Sequence, residues 1–164
     1  MAYYFFVKDL KDGNLAEEVV AEFYREMEYD VETLERARQI EGDLEVSGKG
    51  KKPFTVEVKF DRMAKDTGNL CFEVTNKKGD LTGIAKTQAD VVVYIVSKDE
   101  QSVNLFTFDT EKLRAYLYDT ANVEKIRQVK GGDKKAFTLM LVSIDNILAD
   151  GIAHVEEINA ELPI

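Results

Sequence analysis

Three residues have types and spacing that could do chemistry together: Asp43, Glu57 and Lys59. Asp43 lies in the run Gly42-Asp43-Leu44-Glu45-Val46. Glu57 and Lys59 lie in Phe54-Thr55-Val56-Glu57-Val58-Lys59-Phe60-Asp61. Both runs alternate as strands do. Leu44 and Val46 share one face, opposite Asp43 and Glu45. Phe54, Val56, Val58 and Phe60 share another, opposite Thr55, Glu57, Lys59 and Asp61. The turn-rich Ser47-Gly48-Lys49-Gly50-Lys51-Lys52-Pro53 between them predicts a hairpin. If Asp43 and Glu57 converge at one end of it, two carboxylates meet with Lys59 beside them. Hard oxygen donors suit Mg²⁺, which binds through one or two carboxylates and keeps several waters. A neighbouring lysine can stabilise charge developing on a phosphate or help position a hydroxide. That is the chemistry of metal-dependent phosphodiester cleavage. Alternation alone also allows a blander arrangement, in which these are polar residues on the outer face of a hairpin.

Asp43, a spacer and Glu57-Val58-Lys59 resemble the D…(D/E)-x-K signature of the PD-(D/E)XK, or restriction-endonuclease-like, nuclease superfamily. Gly42 stands at the proline position, which varies in the superfamily. A second block carries the resemblance further: Thr67-Gly68-Asn69, Glu73, the turn Asn76-Lys77-Lys78-Gly79-Asp80, Gly83-Ile84, and Thr87-Gln88-Ala89-Asp90 before an apolar strand. This order is similar to phage- and mobile-element-type members. The likeness covers about residues 14–96.

The resemblance implies an α/β fold with a restriction-endonuclease-like core, a central mixed sheet flanked by helices in the order αβββαβ. It implies a Mg²⁺-dependent DNA endonuclease in which Mn²⁺ substitutes. Asp43, Glu57 and the Val58 carbonyl would hold the metal, and Lys59 would orient or activate the water. Glu17, on the opening helix, would be a further catalytic acid, with Glu18 and Glu22 as alternatives. Glu73 would be an accessory acid or substrate contact. Lys86 and Thr87, with the basic loops Lys49, Lys51, Lys52 and Lys77, Lys78, would meet phosphates. Many members act as dimers because one site cuts one strand, which admits a homodimer here.

The elements that must position these residues follow from the pattern. Leu15, Val19, Val20, Phe23 and Met27 recur at helical spacing, starting from the turn Asp12-Gly13-Asn14 and ending near Glu28 to Asp30. Tyr3 to Val7 is a short strand or packing arm. Val31 to Leu34 is a strand, and Arg36, Arg38 and Gln39 follow in a connector that is either a phosphate contact or a surface loop. Leu70 to Val74 and Val91 to Val96 are strands, the second apolar enough to be buried on both faces. Residues 102–108 alternate as a strand, and Asp109-Thr110-Glu111 opens a helix carrying Leu113, Tyr116 and Leu117. Lys130-Gly131-Gly132-Asp133 turns a hairpin between residues 123–129 and 136–142. Residues 143–158 carry apolar positions at helical spacing, interrupted by Gly151.

Bulk properties bound the rest. The 164 residues are 45% apolar, which suits one globular domain over 1–164. One cysteine, Cys71, and one histidine, His154, exclude a disulfide and a zinc site of several Cys or His. No apolar run is long enough to span a bilayer, and the start lacks the pattern of a signal peptide, so a cytoplasmic setting is expected. The net charge of −9 counts against a surface that grips nucleic acid everywhere. It leaves two rivals open: a catalytically silent nuclease-fold accessory protein that binds DNA or protein, and an acidic DNA-mimic inhibitor.

Overall fold

A computed structural model describes residues 2–160, with side chains described from residue 13 onward. The central sheet has six strands in the order β1-β2-β3-β5-β6-β9. They are β1 (Asp30–Thr33), β2 (Leu44–Gly48), β3 (Lys51–Phe60), β5 (Val91–Ser97), β6 (Ser102–Asp109) and β9 (His154–Asn159). All neighbours are antiparallel except β3 and β5, which run parallel. A second, three-stranded sheet has the order β4-β8-β7, from β4 (Asn69–Asn76), β7 (Ile126–Gly131) and β8 (Phe137–Ser143).

The helix α1 (Ala2–Glu26) covers one face of the central sheet. Its Ala16, Val20, Ala21 and Tyr24 recur at i, i+4, i+5 and i+8 and pack on Val56, Val58, Val93, Ile95 and Leu105. The other face packs Val92, Tyr94, Phe106 and Phe108 against Leu70, Phe72, Met140 and Val142 of the second sheet. Helices α3 (Thr110–Tyr118) and α4 (Ile144–Asp150) close this second core through Leu113, Leu117 and Ile147. β5 therefore feeds both cores with successive residues, which is why its sequence is apolar without alternation. The molecule is α/β with a mixed central sheet flanked by helices, as expected.

Several expectations are corrected. The core order αβββαβ places a helix between β3 and β5. The chain instead has the four-residue α2 (Ala64–Thr67), then β4, then a 3-10 turn at Gly83–Ala85. Gly68, at φ 72°, ends α2 after one turn. The alternation of Leu70, Phe72 and Val74 against Cys71, Glu73 and Thr75 then commits the segment to a strand. At the start, Tyr3 to Val7 and the Asp12-Gly13-Asn14 turn both fall inside α1. A single glycine inside a helix costs only about 1 kcal/mol, which a long helix absorbs. At the other end, the helix stops at Gly151, which is left-handed at φ 65° and donates its N–H to the Leu148 carbonyl. The chain then turns to supply β9 to the edge of β6, so His154 lies on a strand. The hairpin between β2 and β3 is tighter than the seven turn residues suggested. Only Lys49 and Gly50, at φ 55° and 65°, connect the strands. Residues 161–164 lie outside the described residues.

Candidate active site at the open end of the β2–β3 hairpin

Asp43 immediately precedes β2. Its N–H donates to the Val56 carbonyl at 2.8 Å and its carbonyl accepts from Leu34 at 2.9 Å, so its backbone is fixed from both sides. Its carboxylate turns back onto β3, where Oδ2 accepts from the Val58 N–H at 2.7 Å. β2 begins at Leu44, paired with Val56. No β2 residue therefore stands opposite Val58, whose carbonyl shares the edge on which Asp43 sits.

Gly42 makes this approach feasible. Its φ is 129°, and a Cβ there would lie 2.9 Å from the Val56 carbonyl oxygen and 3.3 Å from the Ala89 Cβ. Proline, fixed near φ −65°, cannot take this conformation. The glycine before Asp43 is thus a structural requirement of this chain.

Glu57 and Lys59 alternate with Val56 and Val58, so they face away from α1 toward the second sheet. Lys59 Nζ lies 3.2 Å from Glu57 Oε1, with side-chain exposures of 46% and 16%. The Thr87 hydroxyl, buried, donates to Glu57 Oε2 at 3.3 Å. Lys59 and Glu57 line a cavity of about 290 Å³ together with Gln39, Glu73, Lys86 and Thr87.

Glu17 completes the group. It lies at i, i+3, i+4 and i+7 with Val20, Ala21 and Tyr24, so it crowns the stripe that faces the sheet. Glu18 and Glu22 are on the solvent side, both paired to Arg25 at 3.1 and 2.6 Å. Of the three candidates on the helix, Glu17 is the one whose carboxyl feels the charges of Asp43, Glu57 and Lys59.

The electrostatics show that these groups feel one another. Burial, then the charges of Asp43 and Glu57, push the Glu17 carboxyl up to about 7. Burial and Glu57 push Asp43 up to about 6, against the lowering effect of the Val58 N–H and Lys59. Burial works against the Lys59 ammonium, but Glu57, Asp43 and Glu73 overcome it and its pKa is raised. Lys59 is therefore a fixed cation at neutral pH.

The donors here are hard oxygens: the Asp43 and Glu57 carboxylates, with the Val58 carbonyl on the same edge. Among the described residues no three Asp, Glu, His or Cys side chains form a ready-made metal cage. This set fits Mg²⁺, which needs one or two carboxylates and otherwise water. Burial first, and then like-charge crowding, raises Asp43 and Glu17, and a bound cation relieves the crowding.

Other expected residues fall elsewhere. Lys49 and Lys51 are at the closed end of the β2–β3 hairpin. Six residues at about 3.3 Å each put Lys51 roughly 20 Å along β3 from Glu57, and Lys52 is its neighbour. Lys49 Nζ sits 4.6 Å above the Tyr29 ring. Arg38 is occupied by Glu41 at 2.9 Å and Glu45 at 3.1 Å. Asp61 accepts from the N–H groups of Ala64 and Cys71, tying α2 and β4 to the end of β3. Cys71 is half-buried, and burial pushes its thiol up to about 11, so it is an unreactive packing residue.

Arg114, on α3, was not signalled by the sequence. It donates to the Ile84 carbonyl at 2.8 Å and to the Thr87 carbonyl, pinning the segment that presents Lys86 and Thr87 to Glu57. Its helical spacing marks it only as a surface arginine. Gly83 allows that segment to press on β4, since a Cβ there would lie 2.4 Å from the Glu73 carbonyl oxygen.

Comparisons with protein families, with curated proteins and with solved structures return no match to this chain.

Proposed function

We propose that the protein is a Mg²⁺-dependent DNA endonuclease of the PD-(D/E)XK kind, hydrolysing phosphodiester bonds at the cavity beside Glu57. The observation that carries this reading is the convergence of Glu17, Asp43, Glu57 and Lys59 from α1, β3 and the segment before β2. Three separate segments of the sequence meet in one electrostatic group, which a solvated hairpin face does not require.

Asp43 and Glu57, with the Val58 carbonyl, would hold Mg²⁺; Mn²⁺ fits the same donors. When bound, the cation supplies a more acidic water and polarises the scissile phosphate. The chain does the rest. Lys59, held protonated by Glu57, donates to a phosphate oxygen and stabilises the charge that grows there. Thr87 fixes the second Glu57 oxygen and so the orientation of the carboxylate. Glu17, poised near neutrality, takes up or releases a proton at the edge of the site. Lys86, on the cavity wall, contacts a flanking phosphate.

The test is incubation with supercoiled plasmid, single-stranded DNA and a four-way junction, each with Mg²⁺, Mn²⁺ and EDTA. Cutting that needs the metal and falls by at least about 100-fold in Lys59→Ala supports the reading. Folded protein that cuts none of the three contradicts it, and the silent accessory role then takes its place.

A further inference from the structure

The lysines on the β2–β3 turn lie far from the carboxylates, so phosphate contacts must come from elsewhere. The register of the second sheet brings a different set together. Asn76, at the end of β4, pairs with Phe137, which pairs with Gly131. The turn Asn76 to Asp80 and the β7–β8 turn therefore sit side by side at one end of this sheet. They carry Lys77, Lys78, Lys130, Lys134 and Lys135, all exposed. Their acids are Asp80, whose carboxylate accepts from the Asn76 side chain at 3.1 Å, and Asp133. In a chain of net charge −9 this is a local excess of three positive charges. Lys134 and Lys135 both have φ 53°, a left-handed backbone that glycine or asparagine would take with less strain.

This end also leads into the cleft. Glu73 lines the cavity with Lys59, and Asn76 is three residues beyond it on the same strand, about 10 Å at strand rise. The return segment runs back along β4 through the Thr75–Leu81 bridge and the bond from Thr82 N–H to Val74, reaching Lys86 on the cavity wall. Ten ångströms along a duplex is about three base-pair steps at 3.4 Å per strand residue.

We infer that the lysine-rich end of the three-stranded sheet is a clamp for the phosphate backbone of duplex DNA, about three base pairs from the bond at the cavity. This rests on the nuclease reading for its substrate and adds the surface that holds it.

The experiment measures binding of a fluorescent 20-base-pair duplex by the full chain, with Ca²⁺ in place of Mg²⁺ and again in EDTA, across a salt series. Two variants with the same charge change are compared: Lys134→Glu/Lys135→Glu at the proposed clamp, and Lys51→Glu/Lys52→Glu at the β2–β3 hairpin. Lys77→Glu/Lys78→Glu, on the other turn of the clamp, gives an independent second variant. Circular dichroism checks that each is folded. The clamp predicts roughly tenfold weaker binding for either clamp variant, and a slope of log affinity against log salt reduced by about 1.8, two contacts at 0.9 each. The hairpin variant should bind as the parent does. Equal loss in clamp and hairpin variants, no loss in either clamp variant, or no binding by the parent overturns it. Binding that depends on the clamp lysines in a protein that cuts nothing keeps the clamp and removes the nuclease. Cutting that ignores the clamp does the reverse.

Discussion

At the scale of residues, the site depends on carboxylates that are buried and then crowded by one another's charge. Asp43 and Glu17 have folded pKa values of about 6 and about 7, above their ordinary 3.8 and 4.5. Between about pH 4 and pH 7 these two carboxyls therefore bind more protons in the folded protein than in the unfolded chain. By linkage, their contribution to stability falls as pH rises through that window. In EDTA the melting temperature should drop between pH 5 and pH 8 by more in the parent than in Asp43→Asn. Mg²⁺ should restore it at pH 8 and do little at pH 5, when Asp43 and Glu17 are largely protonated. A melting temperature at pH 8 that ignores Mg²⁺ would argue against a cation between these carboxylates. Gly42 offers a second residue-level test. Gly42→Ala places a Cβ against the Val56 carbonyl in a backbone region that L residues avoid. It should cost about 1–3 kcal/mol in denaturant unfolding and weaken cutting by displacing Asp43. Unchanged stability would mean that this backbone is not as constrained as the geometry states.

At the scale of elements, the hairpin, the buried strand and the helix after Asp109 were legible because each has a local signal. Asp109 caps α3 by accepting from Lys112 at 3.0 Å, as its position before a helical pattern foretold. The helical stripe on α1 was legible only to within a residue. Leu15 fits it by spacing but is 39% exposed, while its neighbour Ala16 is buried. What the sequence did not carry was tertiary pinning. Arg114 holds the 84–87 segment through two backbone carbonyls that are some thirty residues away, and no spacing rule finds such a bond. Arg114→Ala should leave the fold intact and lower kcat by about tenfold or more, by loosening Thr87 from Glu57. Arg114→Lys should recover only part of this, since one ammonium cannot reproduce the two-pronged contact. Equal activity in all three proteins would remove Arg114 as a positioning residue. β9 is hidden for the opposite reason: Ile152 and Val155 continue the helical period of Ile144, Ile147 and Leu148, and Gly151 with the open edge of β6 decides otherwise.

At the scale of the whole molecule, the two sheets are bound by one core rather than hinged. Phe72 of the second sheet stacks edge-on to Tyr94 and Phe108 of the central sheet, with ring centroids 4.9 and 5.8 Å away, and is fully buried. Phe72→Ala should cost about 3–5 kcal/mol, and unfolding followed by fluorescence and by circular dichroism should remain one coincident transition. Two separated transitions would mean that the sheets fold independently. The rigid seat matters because β4 brings Glu73 to the cavity from the second sheet while Glu57 and Lys59 come from the first. The overall negative charge, which counts against nucleic-acid binding when averaged over the chain, is distributed unevenly. At one end of the second sheet Lys77, Lys78, Lys130, Lys134 and Lys135 stand together with only Asp80 and Asp133 as acids of those turns.

The most direct test of the central claim is the initial rate of nicking of supercoiled plasmid at pH 7.5 by the parent, Asp43→Asn and Lys59→Ala, in Mg²⁺ and in EDTA. A metal held by Asp43 and Glu57 with Lys59 beside it predicts nicking by the parent in Mg²⁺ alone, reduced by at least about 100-fold in either variant while both keep the parent's circular dichroism. Nicking that persists at the parent rate in both variants, or in EDTA, would contradict it.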